Sequence, residues 1–265
     1  MSGPHPLFAM AKRSFLPLQA LHGGDAPEPG AGGSGPSRTL IEQTYATLRD
    51  DIVEGRLAPG GKLRIEHLRT QYQVGAGTLR EALTRLVSDA LVTAEGQRGF
   101  RVAPIAIEDL EDITRLRVQI EIEALRQSIR AGGAQWRAAL AGAYAAISAE
   151  EQPIAPHRRR QWEQLNVRFH EALLSGHASS WTLRVLRLLS RHSERYRSYA
   201  MGLPGSVRDV HAEHTEIFEL AMAGQDARAA LALEAHIRAT PDLLIKALRE
   251  GRAVLPGHEP PQHAA

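Results

Sequence analysis

The chain has 265 residues, 43% of them hydrophobic, and a formal net charge of +2 from 32 basic and 30 acidic side chains. That excludes a polybasic tail protein and a strongly acidic disordered chain, and leaves room for one large or two ordinary domains. The lack of cysteine excludes a disulfide scaffold, a thiolate zinc finger and a cysteine nucleophile. Only Lys12, Lys62 and Lys246 are lysine, and there are twelve histidines.

No run approaches the roughly 20 apolar residues that a membrane helix needs. Leu7 to Leu21 is broken by Lys12, Arg13 and Ser14, with charge in the middle rather than in front, as a secretory signal requires. The chain therefore reads as soluble and cytoplasmic. Residues 1–37 are rich in Gly, Pro, Ser and Ala and read as a disordered arm.

A domain is expected over residues 38–103. Leu40, Tyr45, Leu48 and Ile52 recur at helical spacing, with Ser37 or Thr39 as cap. Pro59-Gly60-Gly61 ends that helix. A second helix is predicted over 65–72, a tight turn at Gln73-Val74-Gly75, and a third helix over 76–89 with Leu79, Ala82, Leu83 and Leu86 inward. Leu91–Ala94 and Gly99–Val102 then alternate like the strands of a hairpin, with Arg98 at the tip. Three helices and a hairpin in this order form a winged helix-turn-helix, whose second turn-linked helix presents its N-terminal residues to the major groove. The alternative is a small structural bundle with a hairpin lid.

The string Leu79-Arg-Glu-Ala-Leu83, preceded by Leu57-Ala-Pro-Gly60 and Leu63-Arg-Ile-Glu66 and followed by Arg98-Gly-Phe-Arg-Val102, resembles the DNA-binding domain of the GntR transcription factors. The resemblance implies that Arg80 reads a base, since arginine suits bidentate contact with guanine. It implies phosphate or groove contacts for Thr78 and Arg98, and a further contact for Arg64. Many members carry Ser-Arg-Thr after the turn valine. Here Gly75-Ala76-Gly77 stands in its place, which bears on the operator sequence.

From 104 to 252 only helices are expected, six of them, over 107–130, 134–149, 160–175, 179–202, 206–223 and 226–250, followed by a flexible tail over 253–265. The fold class is mainly α. Polar residues interrupt the apolar stripes: Arg117 beside Leu110 and Ile113, Asn166 and His170 one turn apart beside Phe169, His214 beside Ile217, and His236 beside Leu233. Burying such groups without partners is costly, so something polar is expected among them. Imidazoles suit zinc or nickel better than magnesium. Taken singly, each histidine also fits a hydrogen-bonded core position.

Arg117-x-x-Ile-Glu121, Asn166-x-x-Phe-His170, Glu213-His214 and His236-Ile237 resemble the FCD-type effector domain of the FadR subfamily, in its shorter, six-helix VanR-like version. The resemblance implies a divalent metal on Asn166, His170, His214 and His236, with Asn166 replacing the commoner aspartate. It implies a small carboxylate effector clamped by Arg117, with Arg195 and Arg197 as further candidates against the alternative of a solvated helix face. The branch it looks most like answers to small dicarboxylates such as glutarate. The expected function is a homodimeric repressor of operator DNA. The alternatives are a metal-dependent hydrolase, for which no carboxylate base is evident because Glu213 should point away, and a DNA-binding dimer with no effector.

Overall fold

A computed structural model describes residues 39–151, 154–177, 179–201, 208–253 and 255. The expected arm over 1–37 lies outside them, as does nearly all of the expected tail.

Helix α1 spans Leu40–Val53. Of the two expected caps, Thr39 does the work. Its hydroxyl accepts from Glu42 N at 3.2 Å and its own N–H donates to Glu42 Oε2 at 2.9 Å, so two orphan donors are satisfied reciprocally. Strand β1 (Lys62–Leu63) follows, then α2 (Ile65–Tyr72) and α3 (Ala76–Ser88). The turn between them starts at Gln73, in the left-handed region at φ 54°. Strands β2 (Val92–Ala94) and β3 (Phe100–Val102) flank a short 3-10 turn, Gly96–Arg98. Strand β1 was not expected from the sequence. It pairs antiparallel with β3, Lys62 opposite Arg101, giving the order β1-β3-β2. Two residues are too few for an alternation to show. Leu48, Ile52, Leu79, Leu83, Leu86 and Leu91 make the buried centre of this winged helix-turn-helix.

Among the described residues, six α-helices build the rest: α4 (Ile107–Ala131), α5 (Ala134–Ser148), α6 (Arg159–Leu174), α7 (Ser180–Ala200), α8 (Val210–Met222) and α9 (Asp226–Arg249). Helix α4 packs on α7 and α9, α5 on α6 and α8, and α8 on α9. Leu125, Leu140, Ile147, Phe169, Leu173, Ile217 and Leu233 fill the centre. Gly176 allows the turn after α6 to touch α4, since a Cβ there would lie 2.8 Å from Ser128 O. Among the described residues no helix is long and apolar enough to cross a membrane.

Helix α7 holds the winged helix against the bundle. Arg195 Nη2 donates to Ala103 O at 2.8 Å, and Tyr196 Oη donates to Ala106 O at 3.1 Å. Ion pairs join Arg49 to Glu194 and Arg191 to Asp89, and Arg160 of α6 pairs with Asp50.

Candidate ligand site and DNA-reading face

Three helices deliver the histidines: α6 carries His170, α8 His214 and α9 His236. One ring nitrogen of each lies within 4.8 Å of the other two. The Nε2 atoms of His170 and His236 are 3.2 Å apart, close to the ~3.4 Å between tetrahedral ligands with bonds of about 2.1 Å. His214 is fully buried, and its Nε2 has no hydrogen-bond partner. Asn166, one turn before His170, is 5% exposed and its Oδ1 also lacks a partner. Buried polar atoms without partners are rare in folded proteins. Three imidazoles and an amide oxygen are a donor set that fits zinc or nickel.

The electrostatics favour neutral rings. Burial holds His170 down at about 4, and His214 and Arg117 nearby push the same way. Burial and the neighbouring histidines hold His236 well below the ordinary imidazole value. The neutral ring is the form that coordinates a metal. Burial pushes the Glu121 carboxyl up, but Arg117 and His170 outweigh it and hold it at about 2.

A cavity of about 220 Å³ opens beside the rings, lined by Arg117, Asn166, His170 and His236 together with Leu110, Ile154, Tyr196, Arg197, Arg208, Ile237 and Thr240. Arg117, 7% exposed, donates through Nε to Glu121 Oε1 at 2.6 Å. Arg197 grips Glu163 with Nε and Nη2 at 3.1 and 2.9 Å. Arg208 pairs with Glu213 and donates to Thr240 Oγ1 at 2.5 Å and His236 O at 2.8 Å.

The expected residues thus divide. Arg117, Asn166, His170, His236 and Arg197 share one cavity, with His214 in the ring cluster beside it. Arg195 is not brought there. It is buried at the domain junction and lines a separate crevice with Ile52 and Pro59, because its place on α7 faces the winged helix. The expectation that carboxylates stay away also needs correction. Glu213 Oε2 is 2.9 Å from His236 Nδ1, Glu151 Oε1 is 2.8 Å from His214 Nδ1, and Glu121 Oε2 is 3.6 Å from His170 Nδ1. All three stand behind the rings. Arg208 and Glu151 were not singled out from the sequence. Neither sits on an apolar stripe, so periodicity carries no signal for them.

On the winged helix, Arg80 is exposed in the first turns of α3, Thr78 is half-buried beside it, and Arg64 is exposed at the N-cap of α2. Arg98 is exposed at the end of the 3-10 turn between β2 and β3. A Cβ on Gly75 or Gly77 would meet nothing within 4 Å. Packing inside the chain therefore does not require these glycines, and they leave the N-terminus of α3 open to an approaching backbone.

The family model "Bacterial regulatory proteins, gntR family" matches residues 40–102, and the FCD domain model matches residues 112–239. The HTH-type transcriptional regulator BphR of Paraburkholderia xenovorans (strain LB400) is 42% identical over 208 residues, covering 77% of this chain and 84% of that one. The chain belongs to the gntR family of bacterial regulatory proteins. The HTH-type transcriptional repressor GlaR of Escherichia coli (strain K12) is 31% identical over 198 residues, covering 73% of this regulator and 90% of GlaR. The fold is shared with E. coli McbR/YncC, at a TM-score of 0.65 and 19% identity over 80% of this regulator and all of that chain. A putative GntR regulator from Rhodococcus sp. RHA1 matches at a TM-score of 0.63 and 21% identity, over 78% and 98% of the two chains. The regulator is thus a DNA-binding transcription factor with an FCD domain, the FadR-type pairing that its motifs resemble, and its relatives are regulators rather than enzymes.

Proposed function

We propose that the regulator is a homodimeric repressor released from its operator by a small carboxylate, a dicarboxylate by preference, held in the cavity beside a divalent metal. The observation that carries this reading is that partnerless ring and amide atoms meet in and directly beside a cavity that arginines also line. Asn166, His170, His214 and His236 would hold the ion, zinc or nickel rather than magnesium. Such an ion attracts an anion, and the amide of Asn166 adds no negative charge, so a carboxylate ligand completes the charge balance. Arg117 and Arg197 face the same space and are suited to clamp the acid. Arg208, at the other wall beside Thr240, supports a second carboxylate. Repression is supported by the likeness to the transcriptional repressor GlaR.

Arg80 is assigned to base reading, and Arg64, Thr78 and Arg98 to phosphate or groove contacts. Each chain presents one reading helix, so a two-fold operator calls for two copies. Helix α7 joins the two functions. Arg197 faces the cavity, while Glu194 and Arg191 on the same helix grip Arg49 and Asp89 of the winged helix. A ligand that favours one setting of α7 shifts the population of DNA-domain orientations.

The test is operator binding by fluorescence anisotropy, with and without small mono- and dicarboxylates, on zinc- or nickel-loaded and chelator-treated protein. A dicarboxylate should raise Tm and weaken operator binding, and chelation should blunt both effects. If no acid moves either quantity, the bundle serves only to dimerise.

A further inference from the structure

The carboxylates around the cavity come with guanidinium partners, with one exception. Glu121 is held by Arg117, Glu213 by Arg208 and Glu163 by Arg197. Glu151, between α5 and α6, has a side chain with no exposed surface and no arginine or lysine partner among the described residues. Its Oε1 accepts from His214 Nδ1 and Trp162 Nε1, each at 2.8 Å. Its Oε2 makes no hydrogen bond and lies 3.6 Å from His211 Nδ1. A carboxylate shut away from water without a cation is costly unless positive charge reaches it by another route.

The three histidines also differ in how strictly their surroundings dictate the ring. His236 Nδ1 lies between an acceptor, Glu213 Oε2 at 2.9 Å, and a donor, Arg208 Nη2 at 3.1 Å. His170 Nδ1 is 3.6 Å from Glu121, too far for a hydrogen bond. His214 Nδ1 meets only the Glu151 carboxylate, which can accept but not donate. The proton must sit on Nδ1, and Nε2, buried and partnerless, keeps its lone pair.

We propose that Glu151 is the positioning residue of the metal site: it holds His214 as the Nδ1–H tautomer with Nε2 toward the histidine cluster, and it supplies the counter-charge to a divalent cation bound there. The proposal rests on the metal-site reading above. It uses the physics by which a carboxylate behind a ligating imidazole fixes the ring and raises its basicity.

The test pairs Glu151→Gln with Glu151→Ala in the full chain. Zinc and nickel affinity is measured by competition with a chromogenic chelator, and the His214 tautomer is read from ring 15N shifts in the metal-free protein. The wild type should show protonated Nδ1. Glu151→Ala should lose that signature and bind metal about 10- to 100-fold more weakly. Glu151→Gln retains an acceptor for both N–H groups, so its fold is not in question. It should keep the tautomer and show a smaller loss of affinity, from the missing charge alone. A wild type that binds metal, with both variants within twofold of it, overturns the proposal and leaves the metal site standing. A wild type that binds neither zinc nor nickel overturns the metal reading and the proposal with it.

Discussion

The two halves of the regulator bury different materials. In the winged helix the central cluster is aliphatic, Leu48, Leu79, Leu83 and Leu86 meeting Leu91 and Val102, and the buried carboxylates of Asp50 and Asp51 are paired with arginines. In the helical bundle Phe169, Leu173 and Ile217 are just as fully buried, but beside them lie the buried polar side chains of Arg117, Glu121, Glu151, Asn166, His170 and His214. An aliphatic core gains from burial alone. A polar one costs desolvation that partners must offset. The first design makes a stable platform for reading DNA. The second keeps a polar centre in which ring and amide atoms stand without partners.

The largest expected effect attacks the platform. Leu83→Ala, at a fully buried site, should cost about 2–5 kcal/mol and abolish operator binding together with the fold. Urea unfolding checks this, and a loss well below that range would mean the winged-helix core is loosely packed. A second, smaller effect should arise in the bundle. His170 is held at about 4 in the fold against an ordinary 6.5. Above about pH 6.5 the ring is neutral whether the chain is folded or not. Below it, the unfolded chain takes up a proton that the fold refuses, so stability falls from about 6.5 down to about 4. The loss is on the order of 2–3 kcal/mol. Glu121, held at about 2, adds a further loss only below its ordinary value of 4.5. Tm against pH in chelator-treated protein reads this, and a flat profile from 7 to 4.5 would contradict a dry, neutral imidazole cluster. The smallest effect should leave both interiors untouched. Arg80 is exposed, so Arg80→Ala should keep Tm while removing about 1–3 kcal/mol of discrimination between operator and mismatched DNA. Unchanged discrimination in an anisotropy titration would move the reading role to another residue.

The same contrast explains what could be read in advance. The aliphatic core follows helical period, so α1 to α3 and the six bundle helices were visible within a few residues of their ends. The inward set Arg117, Asn166, His170, His214 and His236 was visible because each interrupts such a stripe. Strand β1 was not, because two residues show no period. Arg195 was offered for the cavity by resemblance, with a solvated face as the alternative, and the structure gives neither. Position along α7 does not tell which neighbour that face packs against, and the residue is buried. It faces Ala103 at the domain junction instead of the cavity.

By itself, the order of residues determined the helices and the inward histidines, because local periodicity and side-chain chemistry are properties of neighbours in the chain. Only the tertiary structure decided which atoms meet. His214 and Glu151 are 63 residues apart, and Arg49 and Glu194 are 145 apart. Contacts of that span depend on how helices pack, which no local pattern encodes. The carboxylate behind His214 and the grip of α7 on the winged helix exist only once the chain has closed on itself.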